Sequence, residues 1–430
     1  MGIVVNDELL SLVLGYYIKK KRKDKNISQS ELGLALGSQP LISLIENGKH
    51  LPAADILMGI ANKLNDAFLK DVANQIETGS HEFISQLFTE SSDILLQILT
   101  NYKGKWARVH KDIAQSLSET YYNQGKHEYV RILAKLIINN NSETDILTES
   151  YFYLGSSLLY DFNYGEAKKW LEMAEQNVGS HDPLLKTKIY FNLALTYTQT
   201  NNQSRAMWYA TEALRGISYI QVPTLYAKSW ALLGLIEQRS GQVEQAKKSL
   251  EKAYEMFSLM EPTVDKARIE INTAEVNYLL GNYSAALEWC KMAQSTAEVV
   301  KDSLSIVTSH ELSTLVLLKK QLHGEAEENL RVALQLSDEL GDNTIKVELY
   351  LLASMFLSPI AQKLDYAQRA FDIVKDSNDY IYQALAAERL SELMENTEEK
   401  LYYQTFALHC YKKQVMQGSS LPILYFFSGN

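Results

Sequence analysis

Apolar residues recur three and four positions apart along almost the whole chain, the spacing of one face of an α-helix, and runs with strand-like alternation are missing. The periodicity predicts an all-α protein. Between about Leu9 and Leu64 the apolar stretches are short and predict four or five small helices, the first from about Leu9 to Lys23. Ser28 precedes "QSELGLAL" with Glu31 three residues on, a capping box that starts a helix. Gly37 ends that helix, Ser38 caps the next, Pro40 sits in its first turn, Gly48 stops it, and "LPAADILMGIANKL" supplies another. Helix, tight glycine turn, helix is the helix-turn-helix pattern. Leu32, Leu36, Ile42, Ile45, Ile56, Leu57, Ile60 and Leu64 are expected to share one small core.

From Tyr151 onward a longer period takes over. Pairs of helices repeat with a small residue, a residue four on, and a small residue three further in the second helix. The series reads Ala167, Leu171, Ala174; Ala206, Ala210, Ala213; Ala246, Leu250, Ala253; Ala286, Cys290, Ala293; and Ala326, Leu330, Ala333, at steps of 39, 40, 40 and 40 residues. Gly155, Ala194, Gly234 and Ala274 lie 12 residues before the first member of the second-helix triplets. Weaker copies at 106–136, 348–374 and 381–412 bring the expected number to about seven or eight hairpins. The pattern resembles tetratricopeptide repeats with lengthened connections, which implies a right-handed superhelix with a concave groove.

Charge divides the chain as the periodicity does. Residues 1–70 hold nine Lys or Arg against seven Asp or Glu, and the remainder 33 against 45, within a total of −10. Five of the nine basic residues form the run from Lys19 to Lys23. A locally basic module is thus joined to an acidic one, so the overall charge does not exclude a nucleic-acid partner. The expected boundaries are 1–70 for the helix-turn-helix, 71–105 for a helical linker, 106–415 for the repeats and 416–430 for an apolar tail. Neither cysteine, Cys290 or Cys410, has a neighbour at ligand spacing, and no phosphate loop, nucleophile elbow or metal motif is present. A cytoplasmic protein that is not an enzyme and carries no cofactor or metal is the expectation. So is the absence of a membrane partner, because no stretch approaches the ~20 apolar residues of a span.

Two candidate surfaces follow. Ser38, Gln39, Leu41 and Ser43 at the start of the second helix of the pair would face the major groove of double-stranded DNA, where Leu41 and Leu44 offer thymine-methyl contacts only. Gln29, Lys49, Lys21 and Arg22 would contact phosphates. In the repeats, numbering the small residue of the first helix as position eight, positions two, six, nine and thirteen share the inner stripe. Position two reads Lys188, Lys228 and Arg268, and position six reads Asn192, Leu232 and Asn272. The remaining inner positions, Leu195, Leu235, Leu312 and Leu315, are mainly apolar, with Glu275 the exception. Asn side chains can pair with a peptide backbone, cations with a carboxylate, and leucines with apolar side chains.

The first module, with its Ser-Gln-x-x-Leu and Ile-Ser-x-Ile-Glu-x-Gly landmarks, resembles the XRE-type DNA-binding domain. Joined to tetratricopeptide repeats, it is similar to the peptide-sensing quorum regulators of the Rap, NprR, PlcR and PrgX group, nearest to the NprR-like and PlcR-like kinds. That resemblance implies a homodimer or higher homo-oligomer that binds DNA and is switched by a short signalling peptide in the groove, with Asn192 and Asn272 on the peptide backbone. A Rap-like action on a response-regulator protein and a scaffold with a vestigial helix-turn-helix are the alternatives. The tail "SSLPILYFFSGN" is expected to cap the last hairpin or to occupy a groove.

Overall fold

A computed structural model describes residues 7–34, 38–78, 95–96, 99–100, 106, 108–140, 143–180, 182–217, 222–377 and 379–417. Among these residues the chain is all-α, with 21 helices and no strand. The turn residue Gly37, the core candidate Leu36 and the tail 418–430 lie outside the described residues. The chain divides into two compact units, 1–189 and 190–430.

The first unit opens with α1 (Asp7–Asp24), α2 (Gln29–Leu34), α3 (Gln39–Glu46), α4 (Ala54–Leu64) and α5 (Ala67–Thr78). The capping box forms as expected: the Ser28 backbone N–H donates to Glu31 Oε2 at 2.7 Å and the Glu31 N–H to Ser28 Oγ at 3.1 Å. Those hydrogen bonds to Ser28 hold the Glu31 carboxyl below its ordinary range. Ser38 caps α3 by accepting from the Leu41 N–H at 3.3 Å, and Gly48, at φ 66°, turns the chain out of it. Leu32, Ile42, Ile45, Leu57, Ile60 and Leu64 are fully buried in one core, with Ile56 packed against it. Helix α5 runs across residue 70 and adds Leu69, Val72 and Ala73 to that core. The same apolar cluster continues through Trp106 into Ile113, Leu117 and Tyr121 of the first hairpin, so the small helical module and the start of the array share a core.

The array consists of helical hairpins. Arg108–Asn123 pairs with His127–Asn140 and Thr144–Tyr160 with Tyr164–Asn177 in the first unit. The division between units falls within Pro183–Gln199, which is followed by Gln203–Ile217. In the second unit Pro223–Arg239 pairs with Val243–Ser258, Val264–Leu279 with Tyr283–Val300, and Ser303–Lys319 with His323–Leu340. Asn343–Phe356 with Ile360–Val374, and Tyr380–Leu393 with Thr397–Gln417, complete it. Every member of the five second-helix triplets is at most 1% exposed.

The small residues explain how the hairpins close. A Cβ on Gly155 would lie 2.7 Å from Leu171 Cγ, and one on Gly234 would lie 2.8 Å from Leu250 Cγ. Glycine in the first helix thus makes room for leucine in the second. Where the first helix instead has Ala194 or Ala274, the second has the smaller Ala210 or Cys290 at the same register, so a Cβ on the first helix is met by a shorter side chain on the second. Cys290 is a packing residue, and burial pushes its thiol up to about 11. Both cysteines are free and buried.

Candidate DNA-facing and ligand-facing surfaces

On the helix-turn-helix the exposed side chains at the start of α3 are Gln39 and Pro40, with Ser38 and Ser43 half-buried beside them. Ser43 is tied to the end of its own helix, its carbonyl accepting from Asn47 Nδ2 at 2.7 Å. Leu44 is 45% exposed, as expected for the outer face. Leu41 differs, being half-buried and packed against the core, so only part of it is presented outward. Lys49 is exposed just beyond the helix.

Three residues expected at phosphates are otherwise engaged. Arg22 points inward, only 8% exposed, and its Nε and Nη2 donate to the two oxygens of Glu46 at 2.5 and 2.9 Å. Its Nη1 donates to the Ile27 carbonyl at 2.7 Å. The hydrogen bonds to Glu46 hold the guanidinium above its ordinary value. Gln29 Nε2 donates to Glu46 Oε2 at 2.7 Å, so one carboxylate ties α1, α2 and α3 together. Lys21 lies over the Tyr17 ring, 5.1 Å from its centroid, and 3.7 Å from Asp66 Oδ2. Because Glu46 is fully buried, it requires these donors, and that demand outranks solvent or phosphate for Arg22 and Gln29. Exposed positive charge in the run resides instead on Lys20 and Lys23.

In the repeats the stripe residues fall on first helices. Lys188 belongs to the first unit and is exposed. In the second unit Asn192 is nine-tenths buried, Asn272 is half-buried and Arg268 is exposed. Lys228 reaches Asp265 of the next first helix at 2.6 Å, a pair more than a third exposed on both sides and thus weakly held. Leu232 is buried, serving the core more than any ligand. Glu275 is half-buried; burial pushes its carboxyl up, opposed by a hydrogen bond with Gln238 and by the charge of Arg239.

A group of acids on the same succession of helices was not among the expected residues. Burial and the neighbouring Glu348 and Glu275 push the Glu311 carboxyl well up. Burial likewise raises Glu348, which accepts a hydrogen bond from the Tyr382 hydroxyl. The signal was in the register: extending the column Lys228, Arg268 by 40 residues twice gives Thr308 and Glu348, and Glu311 is three residues after Thr308 on the same face. Among the described residues no group of three or more His, Cys, Asp or Glu is placed to hold one metal ion. Nor is any described helix long and apolar enough to cross a membrane.

These features define a chain with an XRE-type helix-turn-helix followed by tetratricopeptide repeats. A helix-turn-helix family model matches residues 18–65 and a tetratricopeptide-repeat model residues 227–258. The ImmF control region 10 kDa protein of Bacillus phage phi105 is 47% identical over 53 residues, 12% of this chain; the chain spans 59% of that relative's length. The fold is that of the Rap and NprR regulators. The apo quorum sensor NprR from B. thuringiensis superposes with a TM-score of 0.61 at 14% identity, over 82% of this chain and 99% of that one. A Rap protein complexed with Competence and Sporulation Factor gives 0.56 at 17% identity, over 85% and 99%. Aspartyl phosphate phosphatase F from Bacillus subtilis gives 0.51 at 16%, over 98% of each chain.

Proposed function

We propose that this protein is a transcriptional regulator that binds double-stranded DNA as a homodimer and is switched by a short peptide held on the inner stripe of its repeats. The observation that carries the reading is the union, in one chain, of an XRE-type helix-turn-helix with an array of the fold found in NprR and in a Rap protein bound to a signalling factor. Gln39, Ser38, Ser43 and the outer part of Leu41 read the major groove, and Lys49, Lys20 and Lys23 neutralise phosphates. Asn192 and Asn272 engage the peptide backbone, Arg268 and Lys228 its acidic group, and Glu275 borders the site.

Peptide acts by its differential affinity for two arrangements of the dimer. Two heads reach half-sites about one helical turn, ~34 Å, or a multiple apart, so a change in their separation changes occupancy. The test is calorimetry with a peptide recovered from a random heptapeptide library on the wild-type chain. Asn192→Ala with Asn272→Ala should abolish binding, and unchanged affinity overturns the groove assignment.

A second reading, action on a phosphorelay partner, is favoured by the fold shared with aspartyl phosphate phosphatase F over nearly the whole chain. Capture of a response regulator, with faster loss of its aspartyl phosphate, supports that reading. Binding of specific DNA without either effect supports the first.

A further inference from the structure

We infer that Leu44 on α3 reads C5-methyl groups in the major groove and accepts 5-methylcytosine where it accepts thymine, which makes DNA binding responsive to cytosine methylation. The inference deepens the DNA-binding reading and rests on it. Its starting point is the outer stripe of α3. Ile42, Ile45 and Glu46 are buried on the inner face. That leaves Pro40, Leu44 and Asn47, spaced four and three residues apart, on the outer one, and all three are exposed.

The stripe is poor in hydrogen-bonding groups. Proline has no N–H to donate. Asn47 commits its amide to its own helix, Nδ2 donating to the Ser43 carbonyl at 2.7 Å. Glu46, the one acid of α3, is fully buried under Arg22 and Gln29, so no charge of the helix faces outward. Between Gln39 and Asn47 the exposed side chains are therefore Pro40 and Leu44, and they offer apolar contact alone.

A single exposed leucine is ordinary on a protein surface. Here the surrounding charge names the occupant. Lys49 and His50, directly after α3, are exposed. Helix α1 crosses α3 so closely that Gly15 leaves no room for a Cβ against the Ile45 carbonyl, and its end carries the exposed Lys20 and Lys23. An apolar stripe without acid and with cations on either side complements a groove floor between two rows of phosphates.

Thymine presents a C5-methyl group beside the O4 acceptor in that groove, whereas cytosine presents the N4 donor and a hydrogen at C5. Leucine senses the methyl and is blind to the polar atom. Ser43, next to it and half-buried, does not restore the distinction, because a hydroxyl donates to O4 and accepts from N4 alike. Gln39 lies five residues back, roughly 7.5 Å along the helix, and so faces a different base pair. Cytosine bearing a C5-methyl group is therefore equivalent to thymine at Leu44. Burying one methyl changes affinity about fourfold, and the paired half-sites of a dimer together about fifteenfold.

The test uses the full chain and the tightest duplex it selects from a random-sequence DNA library at fixed salt. Each thymine of the half-site is replaced in turn by deoxyuridine, in both half-sites at once, which removes the methyl group alone. Wild type should lose about tenfold or more at one position. A C·G pair placed there should gain the same factor when its cytosine is C5-methylated. Leu44→Ala and Leu44→Gln, both good helix formers, should abolish both methyl effects, with wild-type hydrogen exchange over α1 to α3 showing that the module folds. A methyl effect that persists in both variants belongs to the shape of the duplex and overturns the assignment, as does a thymine effect without a 5-methylcytosine effect. If no position responds, methyl reading by Leu44 is wrong while DNA binding stands. If no duplex is selected above non-specific binding, the DNA-binding reading falls and this inference with it.

Discussion

Replacing Arg22 by Ala should unfold the DNA-facing module locally without acting through any phosphate. The guanidinium is 8% exposed and supplies two of the donors to a carboxylate that is fully buried. Its removal leaves Glu46 with Gln29 alone and strips the Ile27 carbonyl of a donor. Breaking a buried ion pair by deleting one partner costs ~3–5 kcal/mol. That is a large fraction of the ~5–15 kcal/mol that holds a typical domain, and at ~1.4 kcal/mol per factor of ten it increases local opening roughly 10²- to 4 × 10³-fold. Hydrogen exchange over α1 to α3 in the full chain measures this, since melting of the whole molecule is dominated by the repeats. Replacing both partners, Arg22→Met with Glu46→Leu, should restore most of the protection. The salt dependence of DNA binding separates the two roles: the double variant should keep the wild-type slope. Near-normal exchange in Arg22→Ala, with a slope lowered by ~0.9, would show that Arg22 contacts a phosphate and that the inward geometry is wrong.

Other outcomes are expected. Lys49→Gln should lower the salt slope of DNA binding by ~0.9 with no change in exchange, and an unchanged slope removes it from the phosphate contacts. Gly234→Ala should destabilise by ~1–2 kcal/mol, overpacking against Leu250 outweighing the better helix propensity, and Leu250→Cys by ~2–4 kcal/mol. Because the pair then matches Ala274 with Cys290, the double variant should lose at least ~1 kcal/mol less than the sum in urea titrations, and strict additivity refutes the volume argument. Glu270 is 1% exposed with one oxygen lacking a partner, and burial raises its carboxyl. A raised acid in the folded state means stability is lost as pH rises from the ordinary carboxylate range through the folded value. The melting temperature of Glu270→Gln should therefore fall less than the wild type's between pH 5 and 8, and parallel curves would contradict the assignment.

What could be read from the residues, and what could not, follows from the range of each interaction. Caps and turns are local, so Ser28, Glu31, Ser38 and Gly48 were legible in "SQSELGLALGSQPLISLIENGKH". The repeat register was equally plain, because Ala246, Leu250 and Ala253 and their equivalents must all face one packing seam. A basic run at a helix end suits both a phosphate and a buried carboxylate, and nothing local to Arg22 reveals that Glu46, 24 residues on, is inside. The tie of Gln29 to Glu46 is hidden for the same reason. The acids Glu311 and Glu348 are far apart in sequence, and their effect on each other arises from packing between successive first helices.

In the proposed function one chain couples a DNA reader to a peptide-binding array. Its most direct test is selection of genomic DNA fragments by the full-length protein at fixed salt, with and without a heptapeptide shown to bind it. A small set of fragments with paired half-sites is expected, with retention that changes at least tenfold when the peptide is added. Fragments retained equally with and without peptide, or no specific fragment at any salt concentration, would contradict it.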